Sequence, residues 1–179
     1  MNMSSRPSAQ DTSPRDAEDP ADLAAFKHAF RRHAAGVAII TALQPDGRPT
    51  GFTATSLASL SAVPPLATFN IARSASSWPA IAETERVVIH ILGVRNRAVA
   101  EQMAGDHTRR FVGDHWYPGP FGLPIIKGVT SWMIGRIIER FPVHNNALVV
   151  VQIDAGGSGD DDAALLYHER TYLEPGRPA

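Results

Sequence analysis

The chain has 179 residues, of which 44% are apolar and 20% charged, and its formal net charge is −1 at pH 7. That balance suits one soluble globular domain with a sizeable core and gives no polyanion footprint, so nucleic acid is not an expected partner. Without cysteine there are no disulfides, thiolate nucleophiles or zinc–thiolate centres, and no apolar run reaches the roughly 20 residues of a membrane span.

Residues 1–20 are dominated by Ser, Pro, Asp, Arg and Ala, which bury too little apolar surface to offset chain entropy; a disordered tail is predicted there, and a single folded unit over 21–175. No apolar signal core opens the chain, so a cytoplasmic location is expected. Asp22 is placed to cap a helix that carries Leu23, Phe26 and Phe30 on one face and ends near Gly36. Residues 37–43 then read as a strand, 44–47 as a turn and 48–52 as the antiparallel return. The stretch Gly51-Phe52-Thr53-Ala54-Thr55-Ser56, followed by Ser59-Leu60-Ser61 and Pro64-Pro65-Leu66, reads as a hairpin end running into a small-residue, hydroxyl-rich loop. Such a loop lets a flat ligand with polar edges lie against the main chain.

Residues 66–71 form an apolar strand, and Ser76-Ser77-Trp78-Pro79 starts a short helix through Glu83, with serine capping and proline in its first turn. Ser74, Ser76 and Ser77 thus stand at a helix head, where open amides suit a phosphate. A nearly continuous apolar strand follows over 87–92, and Asn96 is placed to cap a helix with Val99 and Met103 on its inner side. Residues 108–127 read as loop, 131–140 and 147–153 as a second strand pair, 156–162 as a mobile acidic turn and 165–172 as a last strand. The sum is a mainly β protein of six or seven antiparallel strands with few helices. Closing such a sheet into a small barrel removes its edges.

Several chemistries have no signature. Neither G-x-G-x-x-G nor a Walker A sequence is present, nor a G-x-S-x-G elbow. The histidines show no tight metal spacing, His107 and His115 only flank a flexible loop, and Asp160-Asp161-Asp162 lacks the alternation of a calcium loop, so no metal site is expected.

With these residues in view, the chain resembles the flavin reductase-like split-barrel family. The likeness is carried by Gly36-Val37-Ala38-Ile39-Ile40-Thr41, Asp46-Gly47, the 51–56 block, and Ser59-Leu60-Ser61-Ala62-Val63-Pro64-Pro65-Leu66. Arg110-Phe111, Gly122-Leu123-Pro124, residues 131–137 and Leu165-Leu166-Tyr167 continue it, so that it covers about residues 23–174. The resemblance implies a six-stranded antiparallel split barrel of Greek-key type, a homodimer, and flavin bound near the subunit interface. It implies that Thr53, Ala54, Thr55 and Ser56 line the isoalloxazine ring, with Ser59 beside them. Phe69, Asn70 and Ile71 then flank the ring and ribityl chain, Ser76 and Ser77 meet the phosphate, and Arg110 with Phe111 supplies the cationic side. Pro142-Val143-His144 stands where the family has Gly-Asp-His, so His144 is implied as the histidine beside nicotinamide and flavin. The lost glycine and aspartate remove a small residue and a carboxylate that orients the imidazole.

The implied activity is NAD(P)H:flavin oxidoreduction: hydride passes from NADH or NADPH to FMN or FAD, and the reduced flavin goes to a partner monooxygenase. Two rivals remain open from the residues: a flavoprotein that retains FMN as an electron carrier without rapid NAD(P)H turnover, and a non-enzymatic β-barrel interaction module.

Overall fold

The computed structural model describes residues 20–176. The predicted disordered tail, Pro20 aside, lies outside the described residues. Seven antiparallel strands form the main sheet in the order β3-β2-β6-β9-β10-β5-β4. They are β2 (Ala38–Leu43), β3 (Pro49–Ala54), β4 (Ala58–Ala62), β5 (Pro65–Ala72), β6 (Arg86–Ile91), β9 (Ser131–Val143) and β10 (Asn146–Ser158). The protein is mainly β, and among the described residues the helices are Ala21–Arg32 (α1), Trp78–Glu83 (α2) and Arg97–Ala104 (α3), besides two short 3-10 turns.

Side chains alternate across a strand, so one face of each can feed a common core. Ile40 and Ala42 from β2, Phe69 and Ile71 from β5, Val87 and Ile89 from β6, and Val149 and Val151 from β10 converge in this way. The sheet is strongly curled. Phe52 of β3 and Phe69 of β5 are separated by four strands in the ladder. A flat sheet would hold them about 24 Å apart at about 4.8 Å per strand. Their ring centroids are instead 5.9 Å apart in an edge-on contact. The hydrogen-bonded ladder itself does not close, and its seven strands fall within the six or seven read from the residues, one more than the six the resemblance implies. The difference arises at residues 58–62, expected as loop, which pair with β5 as β4 through Ala58↔Thr68 and Ser59↔Ala67.

A second apolar cluster joins Val37, Ile39, Leu92, Met103, Ile126 and Leu165. It includes a correction to the predicted 108–127 loop, which contains a small hairpin of β7 (Trp116–Pro118) and β8 (Pro124–Ile126). Ile125 and Ile126 are buried, so this hairpin is a lid on the core. Between the clusters lies His90, with no solvent exposure. Its Nδ1 is 3.0 Å from the Ile39 carbonyl, and its Nε2 accepts the Ile126 N–H at 3.1 Å. These partners assign the proton to Nδ1 and tie β2, β6 and β8 together through a neutral ring. Burial pushes its pKa down to about 4 despite the opposing bond to Ile39.

The ends of the chain depart further from expectation. Pro20, not Asp22, sits at the N-cap of α1, and none of its residues is buried. Leu23, Phe26 and Phe30 are 39%, 59% and 61% exposed, so this apolar face meets no core cluster among the described residues. The helix stops at Arg32 because Ala35–Gly36 extend as β1 against β11 (Leu166–His168). The last predicted strand is a hairpin of β11 and β12 (Thr171–Leu173), which turns at Glu169 and Arg170 with φ of 47° and 65°. The acidic stretch expected to be mobile is partly strand, since β10 runs to Ser158. Asp162 then accepts the N–H groups of Arg95 at 2.8 Å and Ala163 at 2.9 Å. Among the described residues, no helix is long and apolar enough to cross a membrane.

The His90 arrangement predicts an acid-sensitive term in stability. A folded pKa of about 4 against an ordinary value of 6.5 stabilises the fold fully above pH 6.5. That contribution is lost as pH falls from 6.5 towards 4, because the unfolded chain takes up the proton first. His90→Gln keeps a donor and an acceptor but does not titrate. Its stability gap to the parent protein, measured by urea unfolding, should shift by up to about 3 kcal/mol in the variant's favour over that window. A gap independent of pH would refute the account.

Candidate functional site

The site grows from Gly51, in the middle of β3. A β-carbon there would lie 2.6 Å from the Ile40 carbonyl oxygen and 2.9 Å from Met103 Cε, so only glycine lets β3 pass this close to β2 and α3. The Gly51 carbonyl accepts Ser77 Oγ–H at 3.0 Å and Arg110 Nη1–H at 2.8 Å. Thr50 Oγ1 reaches Ser77 Oγ at 3.3 Å. Ser77 stands at the N-cap of α2, as expected, but makes no side-chain cap bond. Its hydroxyl is spent on β3 instead. Asn96 behaves alike: it precedes α3, yet its Oδ1 accepts the Gly93 N–H at 3.0 Å.

Arg110 is thereby brought to Ser76 and Ser77, whose hydroxyls lie 3.2 and 3.1 Å from Nη1. The other side of the guanidinium binds the Gly105 carbonyl, from Nε at 3.3 Å and Nη2 at 3.1 Å. Burial pushes Arg110 below its ordinary pKa, opposed by the Asp106 carboxylate. The next residue, Phe111, is half-buried and meets Trp116 edge-on, with ring centroids 5.4 Å apart. Ser76 also lines a cavity of about 670 Å³ together with Gln44, Arg48, His107 and Phe111.

The 53–56 segment forms a rim next to this brace. Thr53 turns its hydroxyl inward to the Ala100 carbonyl at 2.7 Å, and Ala54 belongs to the core, 5% exposed. Thr55 is exposed, and Ser59 is exposed on β4. Ser56 Oγ accepts the Asn70 N–H at 2.9 Å and lies 3.3 Å from the Asn70 carbonyl, fastening the β3–β4 turn to β5. On β5 the alternation puts Phe69 and Ile71 in the core and leaves Asn70 outside. Phe69 and Ile71 therefore offer a ligand main chain only.

His144 occupies the two-residue turn of the long β9–β10 hairpin, beyond the Val143↔Asn146 pair. It is exposed, and its φ is 49°, a left-handed conformation unusual for a residue with a β-carbon. Arg73, just past β5, donates its N–H to the Asn145 carbonyl at 2.7 Å and its Nη1–H to the His144 carbonyl at 3.4 Å. Sequence reasoning passed over Arg73. The available signal was a basic residue directly after a strand and before Ser74.

Thr55, Ser56, Asn70, Arg73 and the His144 turn thus follow one another along the end of β5. Both end strands of the ladder, β3 and β4, keep a row of main-chain donors and acceptors that no strand takes. Small side chains over 53–56 leave that row accessible. A flat ligand with hydrogen-bonding edges fits this rim.

Residues 30–176 match the family model described as flavin reductase like domain. This chain belongs to the flavin reductase-like family. An NADH:FMN oxidoreductase of Rhodococcus qingshengii is 38% identical over 155 residues, covering 84% of this chain and 80% of that protein. The reductase component of a flavin-dependent trigonelline monooxygenase of Acinetobacter baylyi is 28% identical and covers 85% of this chain, which spans 49% of that protein's length. A crystal structure of a flavin reductase domain protein from Arthrobacter sp. FB24 superposes with a TM-score of 0.84 at 52% identity, covering 88% of this chain and 98% of that one. The relatives of this family chain are enzymes, and it is an oxidoreductase of the flavin reductase class.

Two outcomes follow from the family chain's geometry. Because φ at position 144 is positive, His144→Gly should be about 1 kcal/mol more stable than His144→Ala in urea unfolding, although both lack the imidazole. Arg110→Ala, which strips the Gly51 and Gly105 carbonyls of a charged donor, should lose on the order of 2 kcal/mol without any ligand present.

Proposed function

We propose that this chain is an NAD(P)H:flavin oxidoreductase that reduces FMN or FAD, works as a cytoplasmic homodimer, and supplies reduced flavin to a partner monooxygenase. The observation that carries the reading is the Ser56–Asn70 link, which sets the small-residue rim beside the His144 turn at one end of β5. The curl that joins β3 to β5 supports reading the sheet as the split barrel of the family. The name of the Acinetobacter relative supports a monooxygenase partner.

When bound, flavin supplies the redox chemistry. The chain's own residues do the rest. Main-chain groups of 53–56 and the Thr55 hydroxyl bind the polar ring edge in preorganised positions, where they favour added negative charge. Thr53 and Ser56 hold that segment rigid through Ala100 and Asn70. Asn70 flanks the ring, and main-chain groups of Phe69 and Ile71 line its approach. Ser59 borders the far side of the rim on β4. Ser76 offers its hydroxyl to the ribityl phosphate, while Ser77, Arg110 and Phe111 hold the segment in place. The cavity beside Ser76 provides room for a larger dinucleotide, which keeps FAD as a substrate alongside FMN. His144 would contact the nicotinamide, its turn fixed by Arg73.

The second reading, an FMN-retaining electron carrier, is favoured by Pro142-Val143 standing in place of Gly-Asp before His144. Steady-state oxidation of NADH and of NADPH with FMN, FAD and riboflavin in turn separates the two. The proposal expects flavin-dependent turnover by a colourless protein; a yellow protein that keeps its flavin through desalting and turns over slowly supports the carrier. His144→Ala should lower kcat by tenfold or more, on the order expected when a positioned group is removed. Its flavin affinity should change little. Unchanged turnover removes His144 from the mechanism.

A further inference from the structure

We propose that the cavity between α1 and the β11–β12 turn is a second ligand site, built for a flat aromatic ring that bears a carboxylate. It lies apart from the flavin rim. Its lining comes from α1, His33 and the β11–β12 hairpin, and none of these residues belongs to the main sheet.

The cavity measures about 460 Å³, within the range of about 300–1,000 Å³ that small-molecule sites occupy. Its two sides are tied to each other. The Arg31 carbonyl accepts the Glu169 N–H at 3.1 Å, and His168 Nε2 lies 3.1 Å from the Arg32 carbonyl, so the last turn of α1 is held to the hairpin. Phe26 and Phe30 supply one wall; their ring centroids are 4.5 Å apart, and both side chains stay more than half exposed. Tyr167 supplies another, backed by Tyr172 with ring centroids 5.1 Å apart. A planar ring set among these side chains gives α1 the apolar cover that the described chain does not, and offset or edge-on ring contact adds to it.

The charge of the lining selects the polar end of the ligand. Arg31 and Arg170 both line the cavity, and among the described residues neither guanidinium has an acceptor or a carboxylate partner. Planar guanidinium forks match the two oxygens of a carboxylate. Glu169 is the one acid in the lining, and it disfavours a doubly charged phosphate more than a single carboxylate. The turn points the same way. His168 pairs with Thr171, so Glu169 and Arg170 form a two-residue hairpin turn with φ of 47° and 65°. A turn with both φ positive ordinarily takes Asn-Gly, and residues with long side chains there cost stability. Strain of this kind clusters at ligand clamps. Position 170 forgoes the easier glycine and gains a cation on the cavity wall.

The test is calorimetric titration of the full chain with naphthoate, its uncharged amide and AMP, alongside the variants Arg170→Gly and Phe30→Ala. Naphthoate should bind once per chain, and the amide about tenfold or more weakly, as expected when a charge-assisted bond is lost. Arg170→Gly should lose about tenfold in naphthoate affinity while melting no lower than the parent protein, because glycine accepts the positive φ. That pairing separates lost binding from lost folding. Phe30→Ala should weaken naphthoate by about fivefold through the missing ring contact. Saturating FMN should leave naphthoate affinity unchanged. Displacement of naphthoate by FMN would place it at the flavin rim and overturn the assignment, as would equal binding of acid and amide, or full affinity in Arg170→Gly. Tighter binding of AMP would give the cavity to a nucleotide and overturn the carboxylate. A shift of Phe30→Ala from dimer to monomer in sedimentation would give this face of α1 to a second copy of the chain, which overturns the ligand site as well.

Discussion

The Gly51 carbonyl is the interaction on which the rest of the site depends. It accepts from Ser77 and from Arg110, so one oxygen ties β3 to the start of α2 and to the loop after α3. The geometry is possible because position 51 has no β-carbon, which would collide with the Ile40 main chain. A carbonyl on an edge strand would ordinarily turn to solvent or to another chain. Here it is capped from within, which ends that part of the β3 edge and fixes where the open part begins. The rim at 53–56 is therefore held at both ends: by the Gly51 brace on one side and by the Ser56–Asn70 bonds on the other.

That arrangement explains why a curled, unclosed ladder serves this protein. Phe52 and Phe69 bring the sheet's distant strands together through ring contact. The backbone ladder stays open there, and the outer donors and acceptors of β3 and β4 are taken by no strand. A fully hydrogen-bonded barrel would have consumed them. The hydrophobic term brings the two ends together and leaves the polar main chain of the edges unpaired by strands.

Legibility in the sequence followed the range of the interactions. Strands carried by a nearly continuous apolar run, such as 37–43, 66–71 and 87–92, could be read because local composition and burial coincide. The 51–56 block could be read because small residues and hydroxyls there are a composition signal. The β7–β8 hairpin could not, since three glycines and three prolines over 108–127 mask the buried Ile125 and Ile126. The fates of the hydroxyls were hidden for a different reason. Thr53, Ser56 and Ser77 look equivalent in sequence, yet Ala100, Asn70 and Gly51 claim them from 14 to 47 residues away. Arg110 was named as the cationic residue, and only its acceptors, the Gly51 and Gly105 carbonyls, show that its guanidinium braces the fold. Side-chain function in this site is decided by what the fold leaves unsatisfied, and that depends on tertiary pairing.

The same reasoning bears on α1. Its apolar residues were legible, and their periodicity did form a helix. The predicted end near Gly36 is not reached, because β1 diverts the segment after Arg32 to pair with β11. The helix is then attached through its C-terminal carbonyls, with Arg31 accepting the Glu169 N–H at 3.1 Å and Arg32 facing His168 Nε2 at 3.1 Å. A twelve-residue helix with no buried residue is marginal in water by itself. Phe26 and Phe30 stack on each other at 4.5 Å, which shields part of each ring but not the face. An amphipathic pattern predicts that a face will be covered, and it is silent on whether the covering surface belongs to the same chain.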